Sequence, residues 1–577
     1  MPYQLVTNPL ETALATKVDG CWQKISTEKY IESANAVSRA LLRLNVKKGD
    51  HIVIISSINR NEWNILDIGL QQIGAISVPL YPNNSDEDNQ YIFKQTQATY
   101  CFVSDPVLYK KVRRVKDDIT SLREIYCFDS VSKAPNWADL LKSGQDKSLQ
   151  KEVEKIKSSI QSDDTVTLIY TSGTGGTPKG VMLSHRNLMS NVHASSERLI
   201  GTNIKRALSF LPCCHSFERM ALYIYQYNGI SIFFSENLGA IGKNAREIQP
   251  HIMTTVPRFL EKIYDKIYSE STKGFWLKKT IFKWSIKLAE RYEPHQSYDL
   301  QYRLADILVF RKWRKKLGGK IRAVISAGAS LSPMINRIFY AAGLPIVEGY
   351  GLTETSAMST IHSLNPIELR IGSVGQPIKG VKVKIAEDGE IYIKGPNVMK
   401  GYFKDPEKTA RAFDSEGYFL TGDIGALKNG VLSITDRKKE IFKTSGGKYI
   451  APQILENQFK KSHFIEQIMV VGESEKMPCA LIQPDFSFLH SWMQRKGLSI
   501  SSSNETLISF PEIIKLIDNE IKTYNQALGQ WEQVKKFTLT PEVWSVESGH
   551  LTPTLKLRRK VIQEKYHDLY EKMYGRK

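Results

Sequence analysis

The chain has 577 residues, 41% of them hydrophobic and 24% charged, which is too long for one core and ordinary for two to four globular units. Lys and Arg number 79 against 60 Asp and Glu, a net charge of +19, so anionic partners such as nucleotides, CoA, anionic lipid or nucleic acid are favoured without a choice among them. No run of 18 or more apolar residues occurs, which excludes a spanning helix, and the 6 scattered cysteines, with no CxxC pair, predict reduced thiols in a cytoplasmic protein.

The N-terminal stretch lacks a basic start followed by an apolar run, so no signal peptide is expected. His51–Ser57 (HIVIISS) reads as a buried strand, Glu62–Ala75 as a helix and Ile76–Tyr81 as a second strand. The alternation recurs at Thr165–Tyr170, a strand leading to a helix over Ser184–Ile200 with Ser184 as N-cap. Arg322–Ala329 and Pro345–Gly351 add strand-then-loop segments. This pattern predicts an α/β fold. From about Val381 the texture changes to short strands with turns at Asp388-Gly389, Asn429-Gly430 and Gly446-Gly447, a small β-barrel-like part. The charged run Asp436–Glu440 interrupts them. The boundary is placed there, giving a large N-terminal domain over 1–438 and a small α+β domain over 439–577.

Tyr170–Gly180 reads YTSGTGGTPKG. Its glycines let backbone N–H groups converge on a polyanion. Thr171, Ser172, Thr174 and Thr177 add hydroxyls, and Lys179 adds charge. Pro178 before the lysine and Gly180 after it exclude a Walker A loop. A flexible surface turn is the plain alternative. In Glu348–Thr355 (EGYGLTET), Tyr350 and Gly351 offer an aromatic face and a close backbone to a purine. Thr353 and Glu354 offer oxygen ligands suited to Mg²⁺; the same pattern also suits a helix N-cap. Asp423, after the Thr-Gly turn of YFLTGD, can accept from two ribose hydroxyls or simply close a turn.

Together these segments resemble the adenylate-forming superfamily of acyl-CoA synthetases, peptide-synthetase adenylation domains and beetle luciferases. The family loop is usually SGTTGxPKG, and Gly175 stands where its second threonine usually sits. The resemblance implies a large N-terminal domain followed by a small mobile C-terminal domain, with ATP, Mg²⁺ and CoA as cofactor and substrates. It implies phosphate contacts from Thr171, Ser172, Gly173, Thr174, Gly175, Gly176, Thr177 and Lys179, and a metal site at Thr174 and Glu354. Gly328 and Ala329 in SAGASLSP would wrap adenine, on which Tyr350 would stack, while Asp423 and Arg437 would hold the nucleotide. Lys439 maps to the hinge, Gly446 and Gly447 to the pantetheine tunnel, and Lys556 in LTPTLKLRRK to the lysine that bridges acyl carboxylate and α-phosphate.

INRNEW (Ile58–Trp63), LPCCHSFER (Leu211–Arg219), VPRFLEKIYDKI (Val256–Ile267) and LTPTLKLRR resemble the long-chain fatty acyl-CoA synthetase branch. That implies a long-chain fatty acid–CoA ligase. His215 then stands either near the acyl or adenylate site or as a neutral structural histidine. A fatty-acyl-AMP ligase, or another carboxylic acid–CoA ligase, would share the first half-reaction. A non-catalytic lipid- or nucleotide-binding protein on the same fold is disfavoured by the intact Lys179, Glu354, Asp423, Arg437 and Lys556. No nucleic-acid recognition motif occurs. Phe275–Tyr292 places Leu277, Ile281, Trp284 and Leu288 at helical spacing among Lys278, Lys279, Lys283 and Lys287; over 274–320, 12 Lys/Arg oppose 4 Asp/Glu, a net +8. Such a helix lies on anionic lipid as a peripheral contact, or packs on its domain with snorkelling lysines.

Overall fold

The computed structural model describes every residue except Met1, Lys133, 172–176, Ile200, 272–274, 295–298, 498–502, 553–555 and Lys577, and omits the side chains of Pro2, Tyr3 and Arg495. The chain divides into two compact units: Met1–Lys384 with Tyr392–Leu420 and Lys428–Leu432, and Ser433–Lys577 with Ile385–Ile391 and Thr421–Leu427.

The first unit carries two large sheets. One has seven strands in the order Gly401–Tyr402, Lys179–Ser184, Thr165–Thr171, Ile76–Leu80, His51–Ile55, Tyr100–Val103, Glu124–Cys127. The last five are mutually parallel. Strands covered on both faces read as continuous apolar runs, and Ile52–Ile55 are all at most 1% exposed. The helix predicted to join the first strand pair spans Asn61–Gln72. Val53, Val78, Phe93, Leu168 and Tyr170 share one core cluster. The phosphate loop therefore leaves from a strand anchored in that core.

Here the structure corrects the strand–loop–helix reading. A second strand, Lys179–Ser184, runs back antiparallel to Thr165–Thr171, with Thr171 opposite Lys179. Thr171 and Lys179 are therefore the paired ends of two antiparallel strands. Val181 and Leu183 of KGVMLS are fully buried, a short alternation that the glycines beside it obscure in the sequence. Ser184 then caps helix His185–Ser196 reciprocally with Asn187.

The second sheet has nine strands in the order Gln376–Pro377, Thr360–Ile361, Ile346–Tyr350, Ala323–Ser326, Ile252–Thr255, Arg206–Ser209, Ser231–Phe234, Leu14–Val18, Cys21–Ile25. Its centre is parallel and its outer pairs are antiparallel. A four-stranded sheet of Lys382–Ile385, Glu390–Lys394, Phe419–Lys428 and Val431–Arg437 contains the turns expected at Asp388-Gly389 and Asn429-Gly430. Asn429 and Gly430 both have positive φ, at 51° and 77°, as a tight hairpin turn requires.

The second unit is built on Ile465–Val471, Cys479–Pro484 and Lys536–Leu539. Alternation sends Ile468 and Val470 to one core and Met469 and Val471 to another, so helices cover both faces. The six cysteines are free thiols, and five are buried. Among the described residues no helix is long and apolar enough to cross a membrane.

Candidate active site

In the first unit three side chains converge around a residue the sequence motifs do not single out. Lys179, first residue of its strand, places Nζ 5.0 Å from the ring centroid of Tyr402, within cation–π range. The Tyr402 hydroxyl donates to Glu354 Oε1 at 3.0 Å. Burial first, then the Glu354 charge, raises the Tyr402 phenol well above its ordinary value. Tyr402 is pinned by its own N–H, which donates to Thr409 Oγ1 at 2.9 Å. Nothing local in NVMKGYFKDP marks it. Only strand pairing, which sets Tyr402 opposite Val181, brings it to the lysine. Thr171 ends the preceding strand and Thr177 is exposed shortly before Lys179. Ser172, Gly173, Thr174, Gly175 and Gly176 lie outside the described residues.

Glu354 sits in a single 3₁₀ turn, Thr353–Thr355. The turn is fastened by Thr355 Oγ1, which accepts from Leu352 N at 2.9 Å, and by Met399 N, which donates to the Glu354 carbonyl at 2.8 Å. The helix N-cap alternative for Thr353 does not hold, because Leu352 occupies the cap position. Tyr350, the last residue of Ile346–Tyr350, is 7% exposed. A Cβ on Gly351 would lie 2.3 Å from the Ala357 carbonyl oxygen, so packing alone demands glycine here. Gly328 and Ala329 are exposed on the turn after Ala323–Ser326.

The HSFER segment meets this turn directly: Ser216 Oγ lies 3.3 Å from Thr353 Oγ1. His215 is the N-cap of helix Ser216–Tyr227, and its Nδ1 accepts from Phe217 N at 3.1 Å. It thus has a structural task at the edge of the site. Four residues after His215, Arg219 pairs with Asp67 at 2.5 Å, both side chains 2% exposed. Arg219 also donates to Thr167 Oγ1 at 2.7 Å and Ser77 Oγ at 2.8 Å. That buried network ties the helix to the strand that carries the phosphate loop.

The same helix walls an apolar cavity, part of it open to solvent, whose lining includes Phe217, Met220, Ala221, Ile252, Ile325 and Val347. Thr254, also in the lining, donates to the buried Glu218 carboxylate, as does Ser209. Burial pushes Glu218 up to about 7 against those hydroxyl donors. Glu348, one strand residue before Gly349, is likewise pushed to about 7 by burial and accepts from Asn336 Nδ2 at 2.9 Å. Neither carboxyl was singled out in the sequence for a role, since burial is a tertiary fact.

In the second unit Asp423 is 6% exposed, and Arg437 Nε approaches its Oδ1 to 3.4 Å. Lys438 bonds Asp388 at 2.5 Å and Glu390 at 2.7 Å, and these side-chain partners raise its pKa. Lys439 is exposed in the turn that follows Val431–Arg437. Fixed groups flank it. Asp436 accepts from Arg437 N at 2.6 Å and Gln453 N at 2.9 Å, with burial pushing its carboxyl up to about 6. Glu440 takes Arg559 Nε at 3.0 Å, and Arg559 also holds Glu456 at 2.7 Å. Lys556 closes its loop: its N donates to Thr552 Oγ1 at 3.0 Å and its carbonyl accepts from Thr552 N at 2.8 Å. Gly446 and Gly447 occupy an exposed turn, and a Cβ on Gly446 would meet nothing nearer than Thr444 Oγ1 at 4.0 Å.

Residues 4–403 match the family described as AMP-binding enzyme, and residues 439–577 match the AMP-binding enzyme C-terminal domain. The chain belongs to the AMP-binding enzyme family. This family member is 33% identical over 569 residues to Long-chain-fatty-acid–CoA ligase FadD15 of Mycobacterium bovis, covering 97% of this chain and 94% of that protein. It is 30% identical to human Long-chain-fatty-acid–CoA ligase 1, covering 97% of this chain and 83% of the relative. In fold it is similar to the adenylation domain of a carboxylate reductase from Mycobacterium chelonae, with a TM-score of 0.74, 22% identity and coverage of 98% and 89%.

Proposed function

We propose that this AMP-binding enzyme is a long-chain fatty acid–CoA ligase. It joins a fatty acid to CoA with conversion of ATP to AMP and pyrophosphate, through an acyl-adenylate. One observation carries the reading. The helix Ser216–Tyr227 walls an apolar cavity on one side, and its first residue meets Thr353 of the EGYGLTET turn at 3.3 Å. An acyl chain in that cavity would present its carboxylate toward the nucleotide segment. Relatives of near-full-length coverage with long-chain fatty acid ligase names support the substrate class.

In the first step the fatty carboxylate attacks the α-phosphate and pyrophosphate leaves. Negative charge grows on phosphate oxygens, so donors and cations placed there in advance lower the barrier. Thr171–Thr177 and Lys179 would cradle the phosphates. Tyr350, Gly328 and Ala329 would hold adenine, and Asp423 with Arg437 the ribose. Lys556 would bridge carboxylate and α-phosphate. Glu354, with the Tyr402 hydroxyl donating to one oxygen, offers a hard anionic oxygen that fits Mg²⁺. Among the described residues no three His, Cys, Asp or Glu gather to hold a metal, so Glu354 and Thr174 would share the ion with phosphate and water. When bound, Mg²⁺ neutralises phosphate charge.

In the second step the CoA thiol attacks the acyl-adenylate carbonyl and AMP leaves. Lys556 must withdraw for this. The exposed Lys439, between the anchored Asp436 and Glu440, is the proposed pivot, after which Gly446 and Gly447 would line the pantetheine path. The enzyme works in the cytoplasm, and a substrate dissolved in bilayers calls for peripheral contact with a membrane.

The test is an acyl panel from acetate to oleate, with benzoate, reading AMP and thioester together and offering CoA or acyl carrier protein. Long-chain acids giving equal AMP and acyl-CoA are expected. AMP without CoA-thioester would make it an acyl-AMP ligase, and no acid-dependent AMP would end the proposal.

A further inference from the structure

Helix Trp276–Ala289 and the helical run 300–316 pack against each other: Tyr302 Oη donates to the Leu288 carbonyl at 2.9 Å, and the Phe282 and Trp313 rings lie 6.4 Å apart. Their inward face is Phe282, Ile286, Ala289, Ala305, Phe310 and Trp313, all buried. The fold of this helix pair is therefore satisfied without the apolar residues that point outward.

Those outward residues are large. On the first helix Phe275, Trp276 and Leu277 are 67%, 66% and 46% exposed. On the second run Leu300, Leu304, Ile307 and Leu308 are 72%, 46%, 61% and 42% exposed, and their spacing sets them on one helical face. The stripe of Leu277, Ile281, Trp284 and Leu288 is exposed or half-buried rather than core. Cations are interleaved: Lys278, Lys279, Lys283, Lys287, Arg303, Arg311 and Lys312 are all exposed. Among the described ion pairs none takes one of the four lysines.

We propose that this two-helix face docks on the surface of an anionic lipid bilayer, with its aromatic and aliphatic tips in the headgroup–acyl boundary and its lysines and arginines at the lipid phosphates. Exposed aromatic and aliphatic side chains in a basic field match that interface in chemistry and in charge. A neutral protein partner would leave the cations unmatched, and a nucleic acid would leave the leucines and isoleucine unburied. The inference rests on the ligase reading only for its purpose: fatty acid partitions into such bilayers. The first helix packs on Pro333–Ala341, which joins the strands that give Ile325 and Val347 to the cavity lining.

The experiment is flotation of the full chain with vesicles of phosphatidylglycerol and phosphatidylcholine in about equal parts, or of phosphatidylcholine alone, at ~50 mM and ~500 mM salt. Two variants accompany it, Trp276→Gln/Ile307→Gln and Lys278→Glu/Lys279→Glu/Lys283→Glu, each checked for an unchanged melting temperature and unchanged pyrophosphate release with octanoate. Binding to anionic vesicles that falls at least tenfold with neutral lipid, with high salt and in each variant is expected. No flotation at low salt, equal binding to neutral vesicles, or binding that survives both variants would overturn the proposal. So would a wild-type dimer that the variants split without any change in flotation, because the face would then serve a second copy. Absent pyrophosphate release with every acid would strike the ligase reading and leave the lipid result to stand alone.

Discussion

Groups assigned to the two units sit on different kinds of backbone. In the first, Lys179 opens a strand whose Val181 is fully buried, and Glu354 is gripped through the Tyr402 hydroxyl and the backbone of Met399. In the second, Lys439 is exposed in a turn and Lys556 closes a loop through its own backbone. A group that holds a reactant through both half-reactions benefits from core-backed strand ends. A group needed in one half-reaction and obstructive in the next benefits from a turn, where reorientation disturbs few buried contacts.

The sharpest way to break this contrast is Lys556→Ala. Fatty-acid-dependent pyrophosphate release should fall ~10²–10³-fold, the usual cost of removing a charge-stabilising donor. Thioester formation from supplied acyl-adenylate should stay within ~3-fold. An equal loss in both steps would erase the distinction between fixed and mobile groups. Next is the fixed cavity. Ala221→Phe, at a lining residue 5% exposed, should lower kcat/KM for palmitate by ~10–10²-fold more than for octanoate, measured on purified protein of unchanged melting temperature. Lys439→Pro should slow overall thioester formation ~10-fold and leave pyrophosphate release within ~3-fold, since proline restricts the pivot. Tyr402→Phe removes the hydroxyl that orients Glu354 and should cost about 1 kcal/mol, a ~5-fold drop in kcat/KM with a higher magnesium requirement.

The smallest effect concerns pH. The Glu348 carboxyl is raised by burial from 4.5 to about 7, so the folded chain holds a proton there that the unfolded chain has already lost. Its contribution to stability is present at low pH and is lost as pH rises through that window. The melting temperature should therefore decline between pH ~4.5 and ~7, and Glu348→Gln should flatten the decline by ~2 °C. A steeper decline in the variant would contradict the assignment.

The parallel α/β strands, the Ser184 cap and the turn at Asn429-Gly430 were legible because each depends on local pattern and residue type. The hairpin return Lys179–Ser184 was hidden by its short alternation after a glycine-rich loop. Tyr402, Ser216 and the Arg219–Asp67 pair were not legible, because each matters through a partner between 48 and 152 residues away. The basic helix near Trp276 was read from spacing, but the neighbouring run over 300–308 needed the packing that leaves Leu300, Leu304, Ile307 and Leu308 outward.

The most direct measurement is exchange of labelled pyrophosphate into ATP with palmitate and magnesium and without CoA. Two sets of groups acting in turn on one acyl-adenylate predict rapid palmitate-dependent exchange in the wild type, reduced ~10²-fold or more in Lys556→Ala. Absence of exchange with every carboxylic acid offered, or full exchange in Lys556→Ala, would contradict it.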